Sequence, residues 1–118
     1  MIRDDKGLVV WQKAMELVTA IYIATNRFPK EELYALTSQI RRAAVSVPST
    51  IAEGQGRQTR GEFRQFLGQA KGSLSELETQ LLLAHNLGYL QDCSALLAQQ
   101  AEVARLLNGL LNSLTTDH

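Results

Sequence analysis

Four segments of this chain repeat apolar residues at spacings of three and four, with only a few residues between one segment and the next. That period gathers the apolar side chains on one face of an α-helix. Short connections between long helices force consecutive helices to run antiparallel. The pattern therefore predicts an all-α fold, an up-down-up-down antiparallel four-helix bundle. No segment sustains the period-two alternation of a half-buried strand, and eight glycines and two prolines are too few for the turn-dense sequence of an all-β fold.

The first segment, from about Val10 to Phe28, places Trp11, Ala14, Met15, Val18, Ile21, Tyr22 and Phe28 inward, and Pro29 stops it. The second, from about Glu31 to Glu53, carries Leu33, Leu36, Ile40, Ala43, Ala44, Val47 and Ile51. Its stripe passes through Pro48 without changing phase, which predicts one helix kinked at Pro48 rather than two helices. Gly54 is the expected stop. The third opens on Thr59 with Glu62 three residues on, the spacing of a capping box. It continues through Phe63, Phe66, Leu67, Ala70, Leu74, Leu77, Leu81 and Ala84. Gly88 is then the expected C-terminal glycine, with Tyr89 and Leu90 able to fold back on the helix end. The fourth is capped by Asp92 or Ser94 and carries Leu97, Ala101, Ala104, Leu107, Leu111 and Leu114. A length of 118 residues fits one domain, 1–118, with short flexible tails at 1–7 and 115–118. Aromatic residues make up only 6%, so aliphatic side chains must fill the core.

Twelve basic and twelve acidic residues cancel, which removes any global field toward nucleic acid or an anionic membrane. The charges are unevenly spread. Arg41, Arg42, Arg57, Arg60, Arg64 and Lys71 face only Glu53 and Glu62 in the middle of the chain, whereas Glu76, Glu78, Asp92, Glu102 and Asp117 later face only Arg105. The opening MIRDDKG is too polar for a signal peptide, and no apolar run is read as approaching the ~20 residues of a membrane span. A cytoplasmic location without membrane contact follows.

The chemistry-bearing residues do not assemble into an enzyme site, and no metal or cofactor is expected. His85 and His118 have no ligand partner at i+3 or i+4, Cys93 has no histidine placed to activate it, and Glu76 and Glu78 diverge on a helix. Ser46 and Ser49 lack a base, and Glu102 with Arg105 reads as a surface ion pair. Gly54-Gln55-Gly56-Arg57 is a weak phosphate-loop signal, since neither a strand nor a Gly-Lys-Ser/Thr accompanies it. It does lead into a helix N-terminus, where free N–H groups favour anions. Arg57, Arg60 and Arg64 gather there and form the candidate anion or nucleic-acid edge.

Two features exceed what one bundle needs. The apolar arc of the fourth helix spans roughly 220° at 100° per residue, and Leu81, Leu82 and Leu83 are consecutive. Such a surplus marks an interface, so self-association is expected through Leu82, Leu83, Leu96, Val103, Leu106 and Leu110. Gly68 and Gly72 lie one turn apart inside the third helix, beside Ser75 and Thr79, and the second helix carries Ser38, Arg42, Val45, Ser49 and Ala52 opposite its core face. Glycine is a costly way to face water in a helix, so close backbone packing is expected at these stripes.

The runs Trp11–Leu17, Leu36–Ser49 and Ile51–Gly54 with Arg57, then Glu62-Phe63 and Gly72–Glu78, resemble the bacterial four-helix bundle family that includes proteins encoded in intervening sequences of 23S ribosomal RNA genes. The resemblance implies a four-helix bundle, a homopentamer and no established enzymatic activity. A related accessory protein of diversity-generating retroelements is a strongly basic pentamer that works with a reverse transcriptase and its RNA; this chain is neutral. Thr50 and Gln55 stand where asparagine and an aromatic are usual, which would alter a surface site built on either. The reading that results is a non-catalytic homo-oligomeric bundle, pentameric by resemblance, with RNA or a nucleic-acid-bound protein as the partner of its arginine edge. The alternative is a small-ligand bundle or an enzyme whose site forms between subunits.

Overall fold

The computed structural model describes residues 5–115, with side-chain surroundings from Gly7 to Leu114. Four α-helices are present: α1 Asp5–Thr25, α2 Leu36–Gln55, α3 Arg60–Asn86 and α4 Ser94–Thr115, with a 3₁₀ turn at Lys30–Glu32. Each packs against its neighbours in the chain, and α1 closes the square against α4; the α2–α3 contact is the most extensive. The bundle measures 48 × 23 × 18 Å. α1 begins at Asp5, inside the stretch expected to be a tail, while residues 1–4 and 116–118, with Asp117 and His118, lie outside the described residues.

The local signals act as their chemistry requires. Thr59 Oγ1 accepts the Glu62 N–H at 3.1 Å, and its hydroxyl donates to the Glu62 carboxylate at 3.1 Å. At the other end of α3, Gly88 takes φ 83°, a region open to glycine without a Cβ clash. The Gly88 N–H then reaches the His85 carbonyl at 3.0 Å and the Tyr89 N–H the Ala84 carbonyl at 2.9 Å, the two bonds of a Schellman ending. Leu90 is buried beneath it, and His85 Nδ1 donates to the Leu90 carbonyl at 3.0 Å. Asp92 Oδ1 accepts the Ser94 N–H at 2.9 Å at the start of α4. That backbone bond, with the Ser94 side chain, holds the Asp92 carboxyl below the usual carboxylate range.

Three expectations change. α2 begins at Leu36, not near Glu31. Pro29 sits at ψ 142°, and the Glu32 carboxylate caps the later start by accepting the Leu36 N–H at 3.2 Å. Its other oxygen accepts the Tyr89 hydroxyl at 2.8 Å, which ties the two loops at this end together and pushes the Tyr89 phenol above its ordinary range. Leu33 is exposed as a result. In α1 the buried stripe is Val10, Ala14, Leu17 and Ile21, with Met15 and Tyr22 exposed. The helix is apolar on most sides, so periodicity alone allows two phases. In α4 the buried face is Leu96, Gln100, Val103, Leu107 and Leu110, whereas Ala101 is exposed. Gln100 is accommodated because its Nε2 donates to the Leu74 carbonyl of α3 at 3.0 Å.

α2 runs unbroken through Pro48, which is buried. Proline removes one backbone hydrogen bond and crowds the carbonyl four residues back, at Ala44, so a bend beyond about 20° is the expected geometry there. Residual dipolar couplings on either side of Pro48 should report two axis directions; a single direction would show a straight helix.

Thr37 supplies a second test. Its side chain is 2% exposed and its hydroxyl has no hydrogen-bond partner. A buried hydroxyl of this kind costs about 1–3 kcal/mol of desolvation. Thr37→Val, which keeps the shape and removes the hydroxyl, should raise stability by about 1 kcal/mol in urea denaturation; unchanged or lower stability would show that the hydroxyl is paired in solution.

Candidate anion-binding edge

The α2–α3 connection is short because Gly54 lets the two helices nearly touch. A Cβ on Gly54 would lie 2.9 Å from Phe63 Cδ1 and 2.9 Å from Phe66 Cβ. Gly56 ends α2, its N–H bonded to the Glu53 carbonyl at 3.1 Å, and the Arg57 N–H bonds the Gly54 carbonyl at 3.1 Å. The turn therefore delivers Arg57 against the first turns of α3. Its guanidinium stacks 4.5 Å from the Phe66 ring centroid, and Nη2 lies 3.9 Å from Glu53 Oε2. The ion pair is solvent-exposed and adds little; the ring stacking fixes where the charge sits.

A cavity of about 280 Å³ opens here, lined by Gly54, Gln55, Arg57, Gln58, Thr59, Arg60, Phe63 and Leu114. Arg57 and Arg60 thus converge on one cavity at the N-terminus of α3. Arg64 is exposed one turn further along α3 and does not line it. Thr50 and Gln55, expected to affect a surface site, are both buried; only Gln55 reaches the cavity wall. Glu62 is drawn onto the Thr59 cap, which places one negative charge beside the arginines.

The expected interface residues divide. Leu96, Val103 and Leu110 are buried inside the single subunit and Leu106 is half-buried, so this part of the expectation is corrected: the broad apolar arc of α4 is used against both α1 and α3. Leu82 and Leu83 are exposed. The close packing expected at Gly68 and Gly72 is also corrected, since a Cβ at either meets nothing within 4 Å and both face solvent within the subunit. Ser46 and Ser73 do meet across α2 and α3, their hydroxyls 2.8 Å apart. Glu102 and Arg105 do not form the expected pair among the described residues, whereas Lys13 and Glu16 do, at 3.7 Å.

Sequence reading missed two things. One is Arg41, whose Nε donates to Thr25 Oγ1 at 2.8 Å and whose Nη2 donates to Asn26 Oδ1 at 3.1 Å, with the guanidinium 4.6 Å over the Tyr22 ring. It pins the C-terminus of α1 to α2, a long-range contact with no local signal. The other is α1 itself. Gly7–Thr25 is long and apolar enough, by length and composition alone, to cross a membrane, which corrects the reading that no run comes close. Only 28% of that stretch is buried in the bundle, and Leu8, Val9, Met15, Tyr22 and Ile23 are exposed. Its two charges, Lys13 and Glu16, are few enough to have flagged it.

The sequence model described as 23S rRNA-intervening sequence protein matches residues 6–109. The chain belongs to that family. A crystal structure of a protein of unknown function from the S23 ribosomal protein family of Bacteroides thetaiotaomicron superposes with a TM-score of 0.82 at 23% identity, covering 91% of this chain and 98% of the other. That likeness establishes the shared bundle fold. A search of curated proteins returns no match. The 23S rRNA-intervening sequence family and this structural relative are of unknown function, and neither is a known enzyme group.

Proposed function

We propose that this family member is a non-catalytic, self-assembling helical scaffold, five subunits in a ring, that holds RNA along the Arg57–Arg60–Arg64 edge in the cytoplasm. The observation that carries the RNA contact is the convergence of Arg57 and Arg60 on one cavity at the N-terminus of α3, with Arg64 a turn beyond. Arginine on a fixed base is suited to phosphate, because its planar donors bond two oxygens at once. Stacking on Phe66 supplies that base for Arg57. One subunit offers few charges and binds weakly. A ring repeats the edge, and a long flexible polyanion that reaches several copies gains steeply from linkage. A small metabolite gains nothing from repetition.

The test is a titration of single-stranded RNA at low and moderate salt, with the wild type beside an Arg57→Ala/Arg60→Ala/Arg64→Ala variant. Each phosphate contact contributes roughly 0.7 to the slope of log affinity against log salt, so the triple variant should lose about 2 from that slope for each engaged subunit. Equal binding by both proteins, or none by the wild type at low salt, would make the edge an ordinary solvated surface.

A further inference from the structure

Along the α2–α3 seam the two helices leave a polar cavity of about 430 Å³, lined by Gln39, Arg42, Ala43, Ser46, Ser73 and Glu76. It shares no lining residue with the cavity at the arginine edge. Its layout follows from helix register. Ser46 and Ser73 meet across the seam, their hydroxyls 2.8 Å apart. Because α2 and α3 run antiparallel, one turn back from Ser46 and one turn on from Ser73 lie in the same direction. Arg42 and Glu76 therefore stand on opposite walls at the same level, beside the hydroxyl pair. Ala43, 5% exposed, lies between them as the floor.

The two opposite charges share this cavity without forming an ion pair with each other. Arg42 has no hydrogen-bond partner among the described residues either, so its guanidinium donors are unspent. On the other wall, Glu76 accepts only from Gln80 Nε2, at 3.5 Å, the long limit of a hydrogen bond. Gln80 is 7% exposed, and its Oε1 is buried without a partner. One wall has donors to spare and the other has acceptors. A simple anion drawn to Arg42 is repelled by Glu76, and a simple cation meets the reverse; a molecule carrying both charges is attracted by both walls. A carboxylate meets the planar donors of arginine with two oxygens at once, and an ammonium donates to Glu76. The serine hydroxyls both donate and accept, so they suit a polar substituent. The volume lies in the range of small-molecule sites, and Ala43 is the only apolar lining residue. We propose that this cavity binds a free α-amino acid with a small polar side chain, its carboxylate on Arg42 and its ammonium on Glu76, so that the ligand joins α2 to α3. The site is independent of both the RNA edge and the assembly.

L-Serine and its two halves test this: ethanolamine lacks the carboxylate, and 3-hydroxypropanoate lacks the ammonium. Amide NMR spectra of the wild-type protein are followed as each is added at millimolar concentration. L-Serine should give saturating shifts confined to residues 39–46 and 73–80. Each half should bind about tenfold more weakly or worse, since it loses one charge-assisted contact. Arg42→Gln and Glu76→Gln each remove one charge from an exposed position, so circular dichroism should show full helix content, and each should lose about tenfold in L-serine affinity. L-Serine shifts that do not saturate or lie elsewhere would overturn the site, as they would if Arg42 and Glu76 close on each other in solution. Halves that bind as well as L-serine, or folded variants that bind it as the wild type does, would overturn it too. The comparison with the halves needs no variant, so it decides even if a variant misfolds.

Discussion

Gly54→Ala should lower stability while Gly109→Ala raises it, although both replace a glycine inside a helix by the best helix former. Alanine is worth roughly 1 kcal/mol over glycine in a helix interior. At Gly109 a Cβ meets nothing within 4 Å, so the full gain of about 1 kcal/mol is expected. At Gly54 the same Cβ would stand 2.9 Å from Phe66 Cβ, an atom fixed to the α3 backbone, and 2.9 Å from the Phe63 ring. The ring can turn aside; Phe66 Cβ can retreat only if α3 moves away from α2. Overpacking of this kind costs about 1–3 kcal/mol and occasionally more, which exceeds the propensity gain. Gly54→Val adds two methyl groups to the same clash and should lose about 3 kcal/mol or more. Urea midpoints for the three variants and the wild type decide it. The order Gly109→Ala, wild type, Gly54→Ala, Gly54→Val from most to least stable is the expected one; a stabilised Gly54→Ala would show that α2 and α3 are not in contact here.

Thr59 with Glu62, and Gly88 followed by Tyr89 and Leu90, are signals confined to one helix turn, and the structure uses both as their chemistry dictates. The stripe of α3 is legible because, from Arg60 to Thr79, every position off the stripe is polar or glycine, leaving one choice of phase; only Leu82, Leu83 and Leu87 break that rule near its end. α1 and α4 are apolar over too wide an arc for that choice to be unique. In α4 the tertiary structure selects Leu96, Val103 and Leu110 for the core, so surplus apolarity alone does not separate core from interface. In α1 it left Leu8, Met15 and Tyr22 outside. The start of α2 is not legible locally because its cap comes from Glu32, four residues upstream, whose other oxygen is fixed by Tyr89 from the far loop. Of the candidate edge, Arg60 and Arg64 follow from helix spacing, but the stacking of Arg57 on Phe66 depends on how closely Gly54 lets α2 approach α3.

The proposed assembly would cover the exposed apolar residues of α1 and Leu82, Leu83 and Leu87 of α3. Along Gly7–Thr25 the apolar residues Leu8, Met15 and Tyr22, spaced seven apart on one side of the helix, are exposed in the single subunit, and contiguous apolar surface of this kind marks contact sites. Burying it releases about 25 cal/mol for each Å² of apolar surface removed from water, and a standard interface removes ~800 Å² per partner. Only the surplus over the cost of association shows as affinity, so the strength of the proposed contact is read by measurement. For the proposed ring, five is the number of subunits the family resemblance implies. Native mass spectrometry of the wild-type protein at micromolar concentration is the direct measurement. One dominant species of five subunits is expected; a stable single subunit would contradict the proposed ring.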